Sequence, residues 1–216
     1  MTVVPLAHRS TGTGRPIIWL HGASGPAWDE ITTALADEFH SYVPDLRGYG
    51  ATSRLGPYGP ELAAADVIGL LDELGLESAV LAGHSSGGIV AYLAALAHPE
   101  RVSALVLEEA PPPLPLDLRP TRPDGELPYE WAAREATLEW LRAPDPAIWE
   151  SLAELHTPSL LIAGGPESHL DQQVIAQMAA RMPAAHLRTI AAGHLIHTNK
   201  PAEFTELVRR FLAPIA

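Results

Sequence analysis

Short apolar runs alternate along the chain with longer stretches of helical spacing, and turn residues separate them. Apolar segments at Pro16–Leu20, Ser41–Asp45, Ser78–Ala82, Val102–Leu107, Ser159–Ala163 and His186–Ile190 each run for about five residues before a turn. Unbroken apolar runs of that length predict strands buried on both faces of a parallel sheet rather than half-exposed hairpins. Between them, Pro60–Leu74 carries Leu62, Val67, Leu70, Leu71 and Leu74 at near-helical spacing. Ser86–Ala97 is small and apolar on every side, which reads as a buried helix. Leu170–Met182 and Ala202–Leu212 are amphipathic. Strand and helix therefore alternate, and the expected class is α/β: a mostly parallel sheet with helices on both faces.

One segment breaks the rhythm. Pro111–Pro146 holds 9 of the 21 prolines, and Trp131, Trp140 and Trp149 fall in or just after it. Helices are expected at about Tyr129–Arg142 and Pro146–Leu155. Residues 110–156 read as a short Pro/Trp-rich cap inserted on top of a single domain spanning 1–216. No internal repeat or long linker interrupts the chain.

Composition narrows the partners. At 216 residues the chain can bury one substantial core, hiding roughly 70% of its unfolded surface. Hydrophobic residues at 47% and charged residues at 19% exclude a disordered chain or a fibre. The net charge of −12, with Lys200 the single lysine, argues against nucleic acid, whose phosphates are held by basic groups. With no cysteine, there is no disulfide, thiolate metal site or Cys nucleophile. No signal-peptide pattern and no membrane-length apolar run are evident, so a cytoplasmic protein without a membrane partner is expected. The sequence does not indicate an oligomeric state.

The strongest chemical signal is Gly83-His84-Ser85-Ser86-Gly87, a G-x-S-x-G element after a predicted strand and before a predicted helix. A nucleophile on so sharp a turn needs neighbours without side chains two residues away on either side. That turn lifts the Ser85 hydroxyl off the sheet edge and leaves the Ser86 amide, at a helix N-terminus, facing a developing oxyanion. A second backbone donor is expected from His21-Gly22-Ala23-Ser24-Gly25, with the Ala23 amide as candidate and His21 structural. Gly193-His194 follows the last strand. His194 is the candidate base that takes the Ser85 proton and returns it to the leaving group; His197 is its competitor. Asp45, Arg47 and Gly48 are read as braces between loops.

Taken together, His21-Gly22, Asp45-Leu-Arg-Gly-Tyr-Gly50, Gly83–Gly87 and Gly193-His194 with Pro201 and Phe204 resemble the α/β-hydrolase superfamily, in particular its small serine esterases. The likeness runs from about Pro16 to Leu212. It implies a Ser-His-acid catalytic triad, an oxyanion hole at Ala23 and Ser86, and no metal or organic cofactor. Two departures stand out. The opening β-hairpin of the family looks absent, so a sheet lacking the first strand is expected. The acid is also displaced: Glu167 stands where most members carry an aspartate, while a branch that includes haloalkane dehalogenases places its acid after the preceding strand, where this chain has Glu108-Glu109. Glu109 is preferred and Glu167 is the alternative.

Ser85 implies acyl transfer, where an aspartate would imply epoxide or carbon–halogen chemistry. The expected partner is a small, uncharged, fairly apolar ester, in a shallow pocket walled by Trp28, Leu114, Trp131 and Trp140. The alternatives are other chemistry on the same triad (C–C hydrolase, lactonase, perhydrolase or lyase) and a non-catalytic ligand sensor.

Overall fold

A computed structural model describes residues 2–23, 25 and 27–215. Seven strands form one sheet in the order β1-β3-β2-β4-β5-β6-β7. They are β1 His8–Thr11, β2 Arg15–Leu20, β3 Phe39–Pro44, β4 Ala79–His84, β5 Val102–Glu108, β6 Ser159–Ala163 and β7 Ala185–Thr189. Every pairing is parallel except β1 with β3. The helices are α1 Asp29–Ala34, α2 Pro60–Glu73, α3 Ser86–Ala97, α4 Trp131–Arg142, α5 Pro146–Ser151, α6 Gln172–Arg181, α7 Ile196–Asn199 and α8 Pro201–Leu212.

The apolar runs became the six parallel strands because both sheet faces are covered. On one face, Leu81, Leu105 and Leu107 pack with α2, α3 and α6. On the other, Val80, Ala104 and Val106 pack with α1 and α8 through Ile31, Phe204 and Val208. Alternate residues of one strand thus feed different cores.

The expectation of a shortened sheet start is met with a qualification. No strand pairs with the outer edge of β1 among the described residues, so the opening hairpin is missing there. β1 itself was not legible: His8-Arg-Ser-Thr11 is polar and largely exposed, and only its register against Ser41–Pro44 makes it a strand. The short helices α1 and α7 are likewise too short to leave a periodic signature.

The segment 110–156 stands on the α2/α3 side. Leu141, Leu152 and Leu155 join the same core cluster as the sheet residues. An isolated bridge from Tyr49 to Tyr129 ties the start of α4 to the loop after β3. The stretch 111–128 forms no helix, and Pro111, Pro112 and Pro113 are buried.

Candidate active site

Two residues at the C-terminal edge of the sheet hold left-handed backbone angles that side chains normally avoid: Ser85 (φ 53°) and Glu109 (φ 47°). Each costs about 1–3 kcal/mol and persists only where the surroundings enforce it. For Ser85 the enforcement is visible in its neighbours. A Cβ on Gly83 would lie 2.4 Å from the Gly87 carbonyl oxygen, and one on Gly87 2.3 Å from that of Leu20. The motif's spacing is therefore steric, as the sequence implied. The Ser85 N–H donates to the Glu108 carbonyl at 2.9 Å, which pins the turn to the end of β5.

Glu109 follows that strand end directly, and its carboxylate is fully buried. His194 Nδ1 lies 3.2 Å from Glu109 Oε2. The Gly164 N–H donates to Oε1 at 2.5 Å and the Gln172 amide at 3.2 Å, while the Ser168 hydroxyl donates to Oε2. Burial pushes the carboxyl upward, but the hydrogen bonds from His194, Ser168, Gly164 and Gln172 outweigh it and hold the group below the usual range. An ionised Glu109 accepting from Nδ1–H leaves Nε2 of His194 as the basic nitrogen. Glu167, the alternative acid, is exposed. The carboxylate that meets His194 Nδ1 is that of Glu109.

Ser85 Oγ makes no hydrogen bond to His194 or to any other described residue. The two sit at the same edge through His84. The His84 Nε2–H donates to the His194 carbonyl at 2.9 Å, and the two rings are 4.7 Å apart. Burial lowers the His84 pKa to about 4, with Glu108 opposing and His194 and His197 reinforcing that shift, so His84 is neutral. Hydrogen bonds between nucleophile and base are often long in free enzymes and tighten around substrate.

The Ala23 and Ser86 amides donate to no described acceptor, and Ser86 opens α3 with its N–H at the positive end of the helix. Gly22 and Ser86 line a cavity of about 30 Å³, walled also by Tyr49, Tyr58, Ala133 and Thr137. It has room for little more than one or two water molecules.

One expected pocket wall is corrected. Trp28 is 1% exposed and packs in the opposite core against Trp19, Phe204 and His197, because the loop after β2 turns it under the sheet. Trp140 donates its indole N–H to Glu61 of α2. Trp131 lies against Arg134, and Leu114 is half-buried; neither is among the residues lining the cavity.

The bracing residues behave as read. His21 Nδ1–H donates to the Gly22 carbonyl at 2.7 Å while its Nε2 accepts from the Leu46 amide at 3.0 Å. Only neutral imidazole can do both, and burial lowers the His21 pKa accordingly. Arg47 forms a buried bidentate pair with Asp66, at 2.6 Å on each arm, so its charge is already matched. Asp45 accepts from the Ala51 amide at 2.9 Å.

Several neighbours escaped the sequence reading. Ser168 and Gln172 serve Glu109 from the loop after β6 and the start of α6. His169 lies against His194 with ring centres 4.1 Å apart. Glu108 and His197 form a second pair, with Nδ1 to Oε2 at 2.7 Å. Consecutive glutamates facing two histidines three residues apart were the available signal for that pair. Among the described residues no group of three or more His, Asp and Glu side chains is arranged to hold a metal.

A family model described as "Alpha/beta hydrolase family" matches residues 17–207. The chain belongs to the alpha/beta hydrolase family. Epoxide hydrolase A of Mycobacterium tuberculosis is 40% identical over 105 residues, which covers 45% of this chain and 33% of that enzyme. The chain's match thus spans about a third of the length of that curated relative. N-formylmaleamate deformylase of Pseudomonas putida is 29% identical over 231 residues, covering 87% of this chain and 85% of its own length. Among solved structures, a thermophilic esterase from Thermogutta terrifontis superposes with a TM-score of 0.81 at 25% identity, over 98% of this chain and 94% of that one. In this hydrolase fold, no helix among the described residues is long and apolar enough to cross a membrane.

Proposed function

We propose that the chain is a serine hydrolase that cleaves small carboxylic esters through an acyl-enzyme. Ser85 Oγ attacks the acyl carbonyl as His194 Nε2 takes its proton. The Ala23 and Ser86 amides hold the oxyanion, and Glu109 orients and stabilises the imidazolium. His194 then protonates the departing alcohol, and a water activated by the same nitrogen releases the acid. The observation that carries this reading is the Glu109–His194 contact at the same sheet edge as a strained Ser85 (φ 53°) at the head of α3. The likeness to epoxide hydrolases does not transfer their chemistry, because Ser85 stands where that chemistry uses an aspartate.

The test is hydrolysis of p-nitrophenyl acetate and its longer homologues by the wild-type chain and by Ser85→Ala. Acetate turnover lost in Ser85→Ala is the expected result; equal rates overturn the proposal. Stoichiometric labelling of Ser85 by an organophosphonate separates an enzyme from a ligand sensor, which would bind without reacting. A second reading draws on the deformylase similarity over most of both chains. Under it the same triad removes a formyl group from an amide, and a panel of N-formyl amides against acetyl esters discriminates the two.

A further inference from the structure

Glu108 and His197 have no part in the chemistry above, yet both are buried beside it. β5 alternates its side chains between the two faces. Glu108 therefore follows Ala104 and Val106 into the core that holds Trp28 and Phe204, while Glu109, one residue on, turns to His194. Glu108 Oε1 accepts the main-chain N–H of His197 at 2.9 Å, and Oε2 faces its Nδ1 at 2.7 Å. One carboxylate thus grips both the backbone and the ring of a residue three positions beyond His194. The His197 ring packs against Trp28 and His84, with ring centres 4.2 Å and 5.0 Å away. His84 in turn donates to the His194 carbonyl. The loop carrying His194 is consequently held at its near end by His84 and at its far end by Glu108.

We propose that Glu108 and His197 are positioning residues for His194: their contact sets where the imidazole stands relative to Ser85, without touching substrate. The inference rests on the serine-hydrolase reading. A buried carboxylate gripping one residue twice is a rigid mount, whereas His194 itself is 19% exposed and holds Glu109 at the longer distance of 3.2 Å. Loosening the mount lets His194 drift, and a displacement on the order of 1 Å can cost up to about a hundredfold in rate.

The test uses two near-isosteric replacements in the full chain. His197→Asn keeps an amide N–H where Nδ1–H stood; His197→Gln moves it one carbon further out. With p-nitrophenyl acetate, His197→Gln should lower kcat about tenfold with KM within about twofold, and His197→Asn should recover most of kcat. The rate of Ser85 labelling by an organophosphonate should fall in parallel. The hydrogen-bonded Nδ1 proton of His194, followed by proton NMR, should broaden or vanish in His197→Gln and persist in His197→Asn. Equal kcat values for the two variants, or an unchanged Nδ1 resonance in His197→Gln, overturn the proposal. Full turnover by Ser85→Ala would instead overturn the hydrolase reading, while the NMR comparison would still judge the mount.

Discussion

The two histidine–glutamate pairs at the end of β5 are neighbours in sequence and opposites in design. Glu108–His197 is closed: both partners are buried, the contact is 2.7 Å, and the carboxylate spends both oxygens on one residue. Glu109–His194 is half open: the carboxylate is buried among four donors, but the imidazole keeps an exposed flank and a longer contact. On the proposed reading, one carboxylate type serves two purposes. An acid that stabilises a charge appearing during reaction needs a partner that solvent and substrate can reach. An acid that only holds a loop works best with its partner sealed, where the low dielectric strengthens the bond.

The sharpest way to break this comparison is to remove the open pair's histidine. His194→Ala should lower ester hydrolysis by at least about a thousandfold, measured with p-nitrophenyl acetate, as losing any member of such a triad does. Glu109→Gln preserves size but loses the charge facing Nδ1, and should cost on the order of a thousand- to ten-thousandfold in kcat. Glu167→Gln, an exposed side chain, should leave kcat within about twofold; abolished turnover there alone would reverse the assignment of the acid.

A smaller effect separates holding from chemistry by pH. The His84 pKa falls to about 4 in the fold, against about 6.5 when unfolded. As pH drops through that window, the unfolded chain takes up a proton that the folded chain refuses, so stability is full above about 6.5 and declines toward 4. The loss is on the order of 3 kcal/mol. Urea unfolding of wild type at pH 7 and pH 4.5 should show the decline, and His84→Gln, which cannot titrate, should reduce it, with His21, also lowered by burial, supplying a remainder. Glu109 acts in the same direction at lower pH. Its carboxyl is held below the usual range, so its contribution is present above the unfolded pKa and fades as pH falls through the folded one. Smallest of all, Trp131→Ala should change kcat/KM for acetyl esters by no more than about twofold, since Trp131 is not among the residues lining the cavity beside Ser86.

The fold was readable wherever burial wrote a pattern. Ser159–Ala163 and Ser86–Ala97 were bounded correctly to the residue, because a strand or helix sealed on all sides must be apolar throughout. β1 was not, since His8–Thr11 owes its strand geometry to hydrogen bonds with β3 and not to any apolar face. The nucleophile turn announced itself because two glycines are forced by backbone oxygens 2.3–2.4 Å from where a Cβ would sit. Trp28 was misplaced because tryptophan's apolar bulk suits a core as well as a cleft, and it went to the core.

Local residue order by itself determined the alternating architecture, the strained turn at Ser85 and the short list of groups that could serve it, because each depends on neighbours within a few positions. Which glutamate meets His194, and that Glu108 meets His197 instead, was decided only in three dimensions. Those contacts join residues 85 and 89 positions apart, and their partners follow from the face of β5 on which each side chain emerges and from the loop that the packed helices bring over it.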